Sequence, residues 1–201
     1  MTNEAAKPRR AAISRKTHET QVELSIDLDG AGRADIASPA GFLNHMLTLL
    51  ARHAVVDIAV KAAGDVDVDL HHTVEDIGIC LGQAIEKALG TKEGITRFGA
   101  ASVPMDEAMA EVVLDLSGRP FLVYNVTFPG ERIGEFETQL VGEFLQAVAT
   151  HARMTLHVRA AYGANDHHIA EAVFKALARA LRLAVARDPR AGGVPSTKGV
   201  L

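Results

Sequence analysis

The chain has little with which to brace itself covalently or to leave an aqueous compartment. Of its 201 residues one is cysteine, Cys80, so no internal disulfide can form. Its apolar setting, DIGICLG, marks a packed, inert thiol. No apolar run approaches the ~18 residues that a membrane span needs, and the polar N-terminus lacks a signal-peptide core, so the cytoplasm is the expected compartment. Basic stretches are scarce as well. The formal net charge is −4, and the short KPRR run reads as a solvated tail, so neither nucleic acid nor a membrane is expected as a partner. What remains is 48% hydrophobic. Domains of about this size bury roughly 70% of their unfolded surface, enough for one compact core.

Nine histidines are present, and they are not scattered: two pairs stand together, His71-His72 and His167-His168. The surrounding sequence repeats. DIAVKAA at 57–63 matches TLHVRAA at 155–161, offset by 98; HHTVEDIG at 71–78 matches HHIAEAVF at 167–174, offset by 96; VELSIDLDG at 22–30 resembles AEVVLDLSG at 110–118, offset by 88. Three matches in the same order, drifting by loop-sized amounts, indicate a duplicated unit.

Each half reads alike. Val22, Leu24, Ile26 and Leu28 alternate with polar residues, the period of a strand with one buried face, and strands are also expected at 56–60 and 66–70. GFLNHMLTLLARHA has helical spacing, and a second helix is expected from His71 through Leu89. In the second half strands are expected at 111–116, 120–128 and 154–160, with helices at 136–150 and 167–187, the last placing Ile169, Val173, Phe174, Leu177 and Leu181 on one side. The expected fold is α+β: in each half an antiparallel sheet with two helices, the helices sandwiched between the two sheets. Residues 1–12 are expected as a flexible tail and 13–201 as one catalytic domain, with pseudo-repeats at about 13–95 and 96–190 and an irregular C-terminal segment at 191–201.

In the first turn of a helix, residues four apart share a face whereas adjacent residues diverge by about 100°. His71 and Glu75 can therefore hold one cation while His72 points elsewhere, and His167, Glu171 and His168 repeat the pattern. A helix N-terminus disfavours a cation, so Glu75 and Glu171 must supply compensating charge. Mixed imidazole and carboxylate ligation suits manganese, iron or zinc. A lone histidine on an amphipathic helix is more often core or surface; two HHxxE starts at matched places in a duplicated unit favour metal. His45 and Glu143 occupy equivalent repeat positions, offset by 98, and read as a further ligand of each site. His18, His151 and His157 read as bystanders.

The stretches FLNHML, HHTVEDIG, RFG followed by PMDEA, DLSGRP, TLHV, DHHIAEAVFKALARALR and VPSTKG together resemble the imidazoleglycerol-phosphate dehydratase family, from about Arg9 to Leu201. The resemblance implies a ribosomal-protein-S5-domain-2-like double fold, a 24-subunit assembly with active sites between subunits, and two manganese ions per site. Carried over by motif, one ion takes His45, His72, His167 and Glu171; the other takes His71, Glu75, His168 and Glu143, a position where many family members have histidine. Substrate contacts are implied for Glu19, His53, Arg97, Arg119, Lys175, Ser196, Thr197 and Lys198, besides the metal-binding side chains. The implied reaction is dehydration of imidazole glycerol phosphate to imidazole acetol phosphate in histidine biosynthesis, through an imidazolate held by the two ions. Glu19 is then expected as the acid/base group, with Glu171 sharing proton transfer and Asp106 as another candidate. Two other readings remain: a two-metal phosphoester hydrolase, which calls for a bridging carboxylate, and a non-catalytic metal-binding assembly protein, which has no use for converging arginines and lysines.

Overall fold

The computed structural model describes residues 8–201. Two four-stranded sheets enclose a double layer of helices, and each half runs β-β-β-α-β-α. In the first half these are β1 (Arg10–Lys16), β2 (Thr20–Asp27), β3 (Ala34–Ala37), α1 (Gly41–Ala54), β4 (Asp57–Gly64) and α2 (His71–Leu89). The second half repeats them as β5 (Phe98–Met105), β6 (Ala108–Asp115), β7 (Phe121–Asn125), α3 (Gln139–His151), β10 (Thr155–Tyr162) and α4 (Asp166–Val185). A two-stranded ribbon, β8 (Arg132–Ile133) and β9 (Phe136–Glu137), is inserted before α3. The strand orders β1-β2-β4-β3 and β5-β6-β10-β7 correspond one to one. Three strands of each sheet are antiparallel; the fourth pairs parallel with its neighbour, β3 with β4 and β7 with β10.

The alternation seen in the sequence is the reason for the layering. Val22, Leu24 and Ile26 of β2 and Ala110, Val112 and Leu114 of β6 are all buried, facing the helices, while the residues between them face outward. Helix α2 lies on β1 and β2, and α4 on β5 and β6, while α2 packs on α3 and α1 on α4, so the halves meet helix layer to helix layer. Glycine makes the α2–α3 contact possible: a Cβ at Gly78 would meet the Phe144 carbonyl at 2.9 Å, and one at Gly82 the Ala152 nitrogen at 2.8 Å. All five apolar residues expected on one side of α4 are buried, as is Cys80.

Two expectations are corrected. Residues 66–70 are not a strand. Val66 and Val68 are exposed, and their amides bond locally to the Gly64 and Asp65 carbonyls, closing turns in which the Val/Asp alternation has no sheet partner. The expected tail at 1–12 overlaps β1, because from Arg10 onward the backbone pairs with β2 and Ala11 enters the core. Residues 1–7 of that tail lie outside the described residues. Strands β1, β3 and β5 leave little signal in the sequence, because they are edge strands or short, with weaker alternation.

Candidate metal and substrate site

Each HHxxE segment opens a helix. Asn165 caps α4, its side chain accepting the backbone N–H groups of His167 at 2.9 Å and His168 at 3.3 Å. At α2 Asp69 accepts the N–H of His71 at 2.7 Å. The rings of the adjacent histidines stand nearly perpendicular, at 85° for His71 and His72 and 83° for His167 and His168. As the helical geometry requires, the first histidine and the glutamate share a face: His167 Nε2 lies 3.0 Å from Glu171 Oε1.

A third donor arrives from the other half. The packing of α1 on α4 brings His45 Nε2 to 3.0 Å from the same oxygen, Glu171 Oε1. The three donor atoms lie within 4.8 Å of one another, and among the described residues this is the one such group of three. Two borderline imidazole nitrogens and one hard carboxylate oxygen suit a divalent transition ion, so the residues present fit a metal of that class. Phe42 packs edge-on against the His167 ring at 5.2 Å and limits its freedom.

Glu171 is buried, and burial by itself would raise its pKa. Lys175 Nζ, 2.5 Å from Oε2, together with His45 and His167, overrides that and holds the carboxyl at about 2. The group is therefore an anion ready to ligate. His53 is half-buried; burial, then the charges of Lys175 and Arg179, push its pKa down and favour the neutral ring.

The remaining expected ligands are not gathered into one cluster within the chain. His71 and Glu75 stand on α2 and Glu143, exposed, on the adjoining α3, without forming a second group of three. His72 Nδ1 is 3.0 Å from Asp65 Oδ2 and 4.0 Å from Glu19 Oε2, and His168 Nδ1 is 2.6 Å from Glu107 Oε2. Asp106, in the PMDEA motif, stands 3.8 Å from His168 Nε2. Glu107 and Asp65 are neighbours of the histidine pairs that the motifs alone do not single out. Glu107 had a signal, since it lies 88 residues after Glu19, the offset that relates β2 to β6. Asp65 had none.

The expected phosphate contacts do converge. Arg97, Arg119, Ser196, Thr197 and Lys198 line one cleft of about 580 Å³. Arg97 forks onto Asp115 with Nε–Oδ1 at 2.7 Å and Nη2–Oδ2 at 3.0 Å, and its third nitrogen reaches the Pro195 carbonyl at 2.8 Å. Its backbone is left-handed, φ 73°, a costly conformation for a non-glycine residue that is typical of functional positions. His157 lies exposed on β10 and His151 ends α3, neither of them in the cluster.

A family model described as imidazoleglycerol-phosphate dehydratase matches residues 38–181. The chain is 60% identical to the imidazoleglycerol-phosphate dehydratase of Methylorubrum populi over 96% of its length and all of that protein. It is 59% identical to that of Nitrobacter hamburgensis, over 96% of this chain and 98% of the relative. Among solved structures it resembles the imidazoleglycerol-phosphate dehydratase of Staphylococcus aureus, with a TM-score of 0.81, 40% identity, and coverage of 89% of this chain and 99% of the other. It also resembles the Pyrococcus furiosus enzyme in complex with (S)-C348, with a TM-score of 0.79, 37% identity, and coverage of 94% and 100%.

Proposed function

Since the chain belongs to the imidazoleglycerol-phosphate dehydratase family, and is thereby a hydro-lyase of histidine biosynthesis, we propose that it dehydrates imidazole glycerol phosphate at a two-manganese site shared between copies of itself. The observation that carries the metal reading is the meeting of His45 Nε2, His167 Nε2 and Glu171 Oε1. His72 from another copy completes this set, and His71, Glu75, His168 and Glu143 hold the second ion. Bound divalent ions supply Lewis-acid polarisation of the substrate's ring nitrogens and a template for the ring.

This chain's side chains do the rest. The cleft of Arg97, Arg119, Ser196, Thr197 and Lys198 takes the phosphate, for which planar guanidinium forks and an ammonium are suited donors. Lys175 keeps Glu171 ionised, and neutral His53 beside it can accept a substrate hydroxyl. Glu19, at the exposed tip between β1 and β2, takes the proton from the carbon beside the departing hydroxyl, and Glu171 can share in proton transfer.

Dimensions support sharing between copies. Arg97 immediately precedes β5, whereas Met105, the last residue of that strand, lies 3.0 Å by its sulfur from Lys175 Nζ beside Glu171. Eight strand residues span about 25 Å, which supports a site completed by the phosphate cleft of one copy and the His45–His167–Glu171 group of another. The outward face of the second sheet exposes Phe98, Val113 and Phe121, apolar surface suited to burial against further copies, in the proposed 24-subunit assembly of the cytoplasm.

The test is turnover of imidazole glycerol phosphate by metal-stripped protein before and after manganese is restored. Activity that returns with the ion supports the reading; undiminished activity in the stripped protein removes the metals from it.

A further inference from the structure

The duplication places Glu19 and Glu107 at equivalent hairpin tips, 88 residues apart, each next to the second histidine of an HHxxE pair. Their engagements differ. Glu107 is fully committed: Oε2 takes His168 Nδ1 at 2.6 Å, and Oε1 accepts the backbone N–H groups of Ala164 at 3.2 Å and Asn165 at 2.8 Å. The two-residue tip that carries it turns at Asp106, φ 47°, which brings the carboxylate against the α4 cap.

In the first half Glu19 stands back, 4.0 Å from His72 Nδ1, and Asp65 Oδ2 holds that nitrogen instead at 3.0 Å. No carboxylate stands at the equivalent place in the second half. A bulge in β10 between Ala160 and Tyr162 shifts the register by one, so Gly64 corresponds to Gly163 and Asp65 to Ala164, whose methyl group cannot hold an imidazole. The duty of holding the second imidazole has thus moved from the hairpin glutamate to a loop aspartate in one half only. The Glu19 hairpin is secured separately: Thr17 Oγ1 accepts the N–H groups of Glu19 and Thr20, while the Thr20 hydroxyl donates to buried Asp76, which Arg15 also grips at 2.8 Å. In the second half the counterparts of Thr20 and Asp76 are Ala108 and Ala172.

We propose that Asp65 and Glu107 are positioning residues that keep the proton of His72 and His168 on Nδ1 and turn Nε2 toward the metal, and that Asp65, by relieving Glu19 of this task, leaves Glu19 free for proton transfer. This rests on the two-metal reading above. A carboxylate on the distal nitrogen fixes the tautomer and raises the basicity of a ligating imidazole, and losing it weakens metal binding by about tenfold to a hundredfold.

The experiment titrates Mn²⁺ into metal-stripped wild type, Asp65→Asn and Glu107→Gln, following the free-ion electron paramagnetic resonance signal, with the melting temperature of each metal-free protein measured alongside. Expected is a loss of affinity of about tenfold or more in both variants with the metal-free melting temperature kept. Asp65→Asn should in addition lower kcat at saturating manganese with little change in KM, as Glu19 is drawn toward His72. Affinity and kcat in Asp65→Asn indistinguishable from wild type overturn the proposal, and that variant decides alone should Glu107→Gln loosen its hairpin and melt early. Wild type that takes up no manganese would instead sink the two-metal reading, a result separate from equal uptake by all three proteins.

Discussion

His45 and Glu171 are separated by 126 residues and meet at 3.0 Å, one from each half of the duplicated chain. Because His167 shares the same carboxylate oxygen, Glu171 is the hinge of the group: either imidazole can be lost and leave a pair, but without the carboxylate there is no anionic donor. Glu171→Gln should weaken manganese binding by more than about tenfold, roughly the loss of 1.4 kcal/mol or more, measurable by calorimetric titration. Lys175 would be left half-buried beside a neutral amide, so a modest fall in melting temperature should accompany it. Unchanged affinity would remove Glu171 from the ligand set.

Glu19 makes the complementary case. Its side chain is 56% exposed and it holds no metal in the proposed ligand sets, so its carboxylate is available for chemistry. Glu19→Gln should retain manganese and substrate binding while turnover falls by about a hundredfold or more, the usual weight of a positioned acid/base. Single-turnover assays separate the two quantities. Wild-type rates in that variant would exclude Glu19 from proton transfer.

Both histidine pairs were legible in the sequence because helical geometry is local: residues four apart share a face whatever the rest of the fold does. The buried strand β2 and helices α1, α2 and α4 were legible for the same reason, as was the duplicated layering. Val66 and Val68 misled because alternation records which side chains match, not whether a partner strand exists. The link between His45 and Glu171 and the closure of the Arg97–Lys198 cleft are tertiary facts, and the residues pointed to them through resemblance more than through spacing. Asp65 was invisible because its counterpart in the other repeat is Ala164, so comparing the two halves gives no hint of a carboxylate there.

Gly82 tests the helix layer. A Cβ there would stand 2.8 Å from both the Ala152 nitrogen and the Val148 carbonyl, backbone atoms that cannot swing aside. Gly82→Ala should destabilise by about 1–3 kcal/mol despite the better helix propensity of alanine, because overpacking outweighs that gain of about 1 kcal/mol. In a chain of this size, that is about 2–4 °C of melting temperature per kcal/mol. A melting temperature above wild type would show that α3 yields to the added methyl group.

Cys80 lies wholly buried on α2, and burial, with the Asp76 charge as a lesser cause, pushes its thiol up to about 11. The thiolate is the reactive form, so a disulfide reagent near neutral pH should not label the folded protein within minutes. One thiol should appear on addition of denaturant. Rapid labelling of the native protein would mean that α2 opens locally.

Asp57 should set part of the acid sensitivity. Its carboxylate takes the Arg33 guanidinium at 2.9 and 2.6 Å and the backbone N–H groups of Ala31 and Arg33 at 2.8 and 2.9 Å. The Arg33 bond, above all, holds the carboxyl well below its usual 3.8. A depressed carboxyl stabilises the fold fully above the unfolded value and loses that contribution as pH falls below it toward the folded value. Arg33 is 81% exposed, so solvent and salt screen the pair and the contribution is small. Asp57→Asn should therefore lower the urea midpoint at neutral pH, and the gap to wild type should narrow steadily as the pH is taken below 3.8. A gap that stayed constant through that range would mean that Asp57 acts through its backbone acceptor bonds, which an asparagine oxygen keeps only in part, and not through its charge.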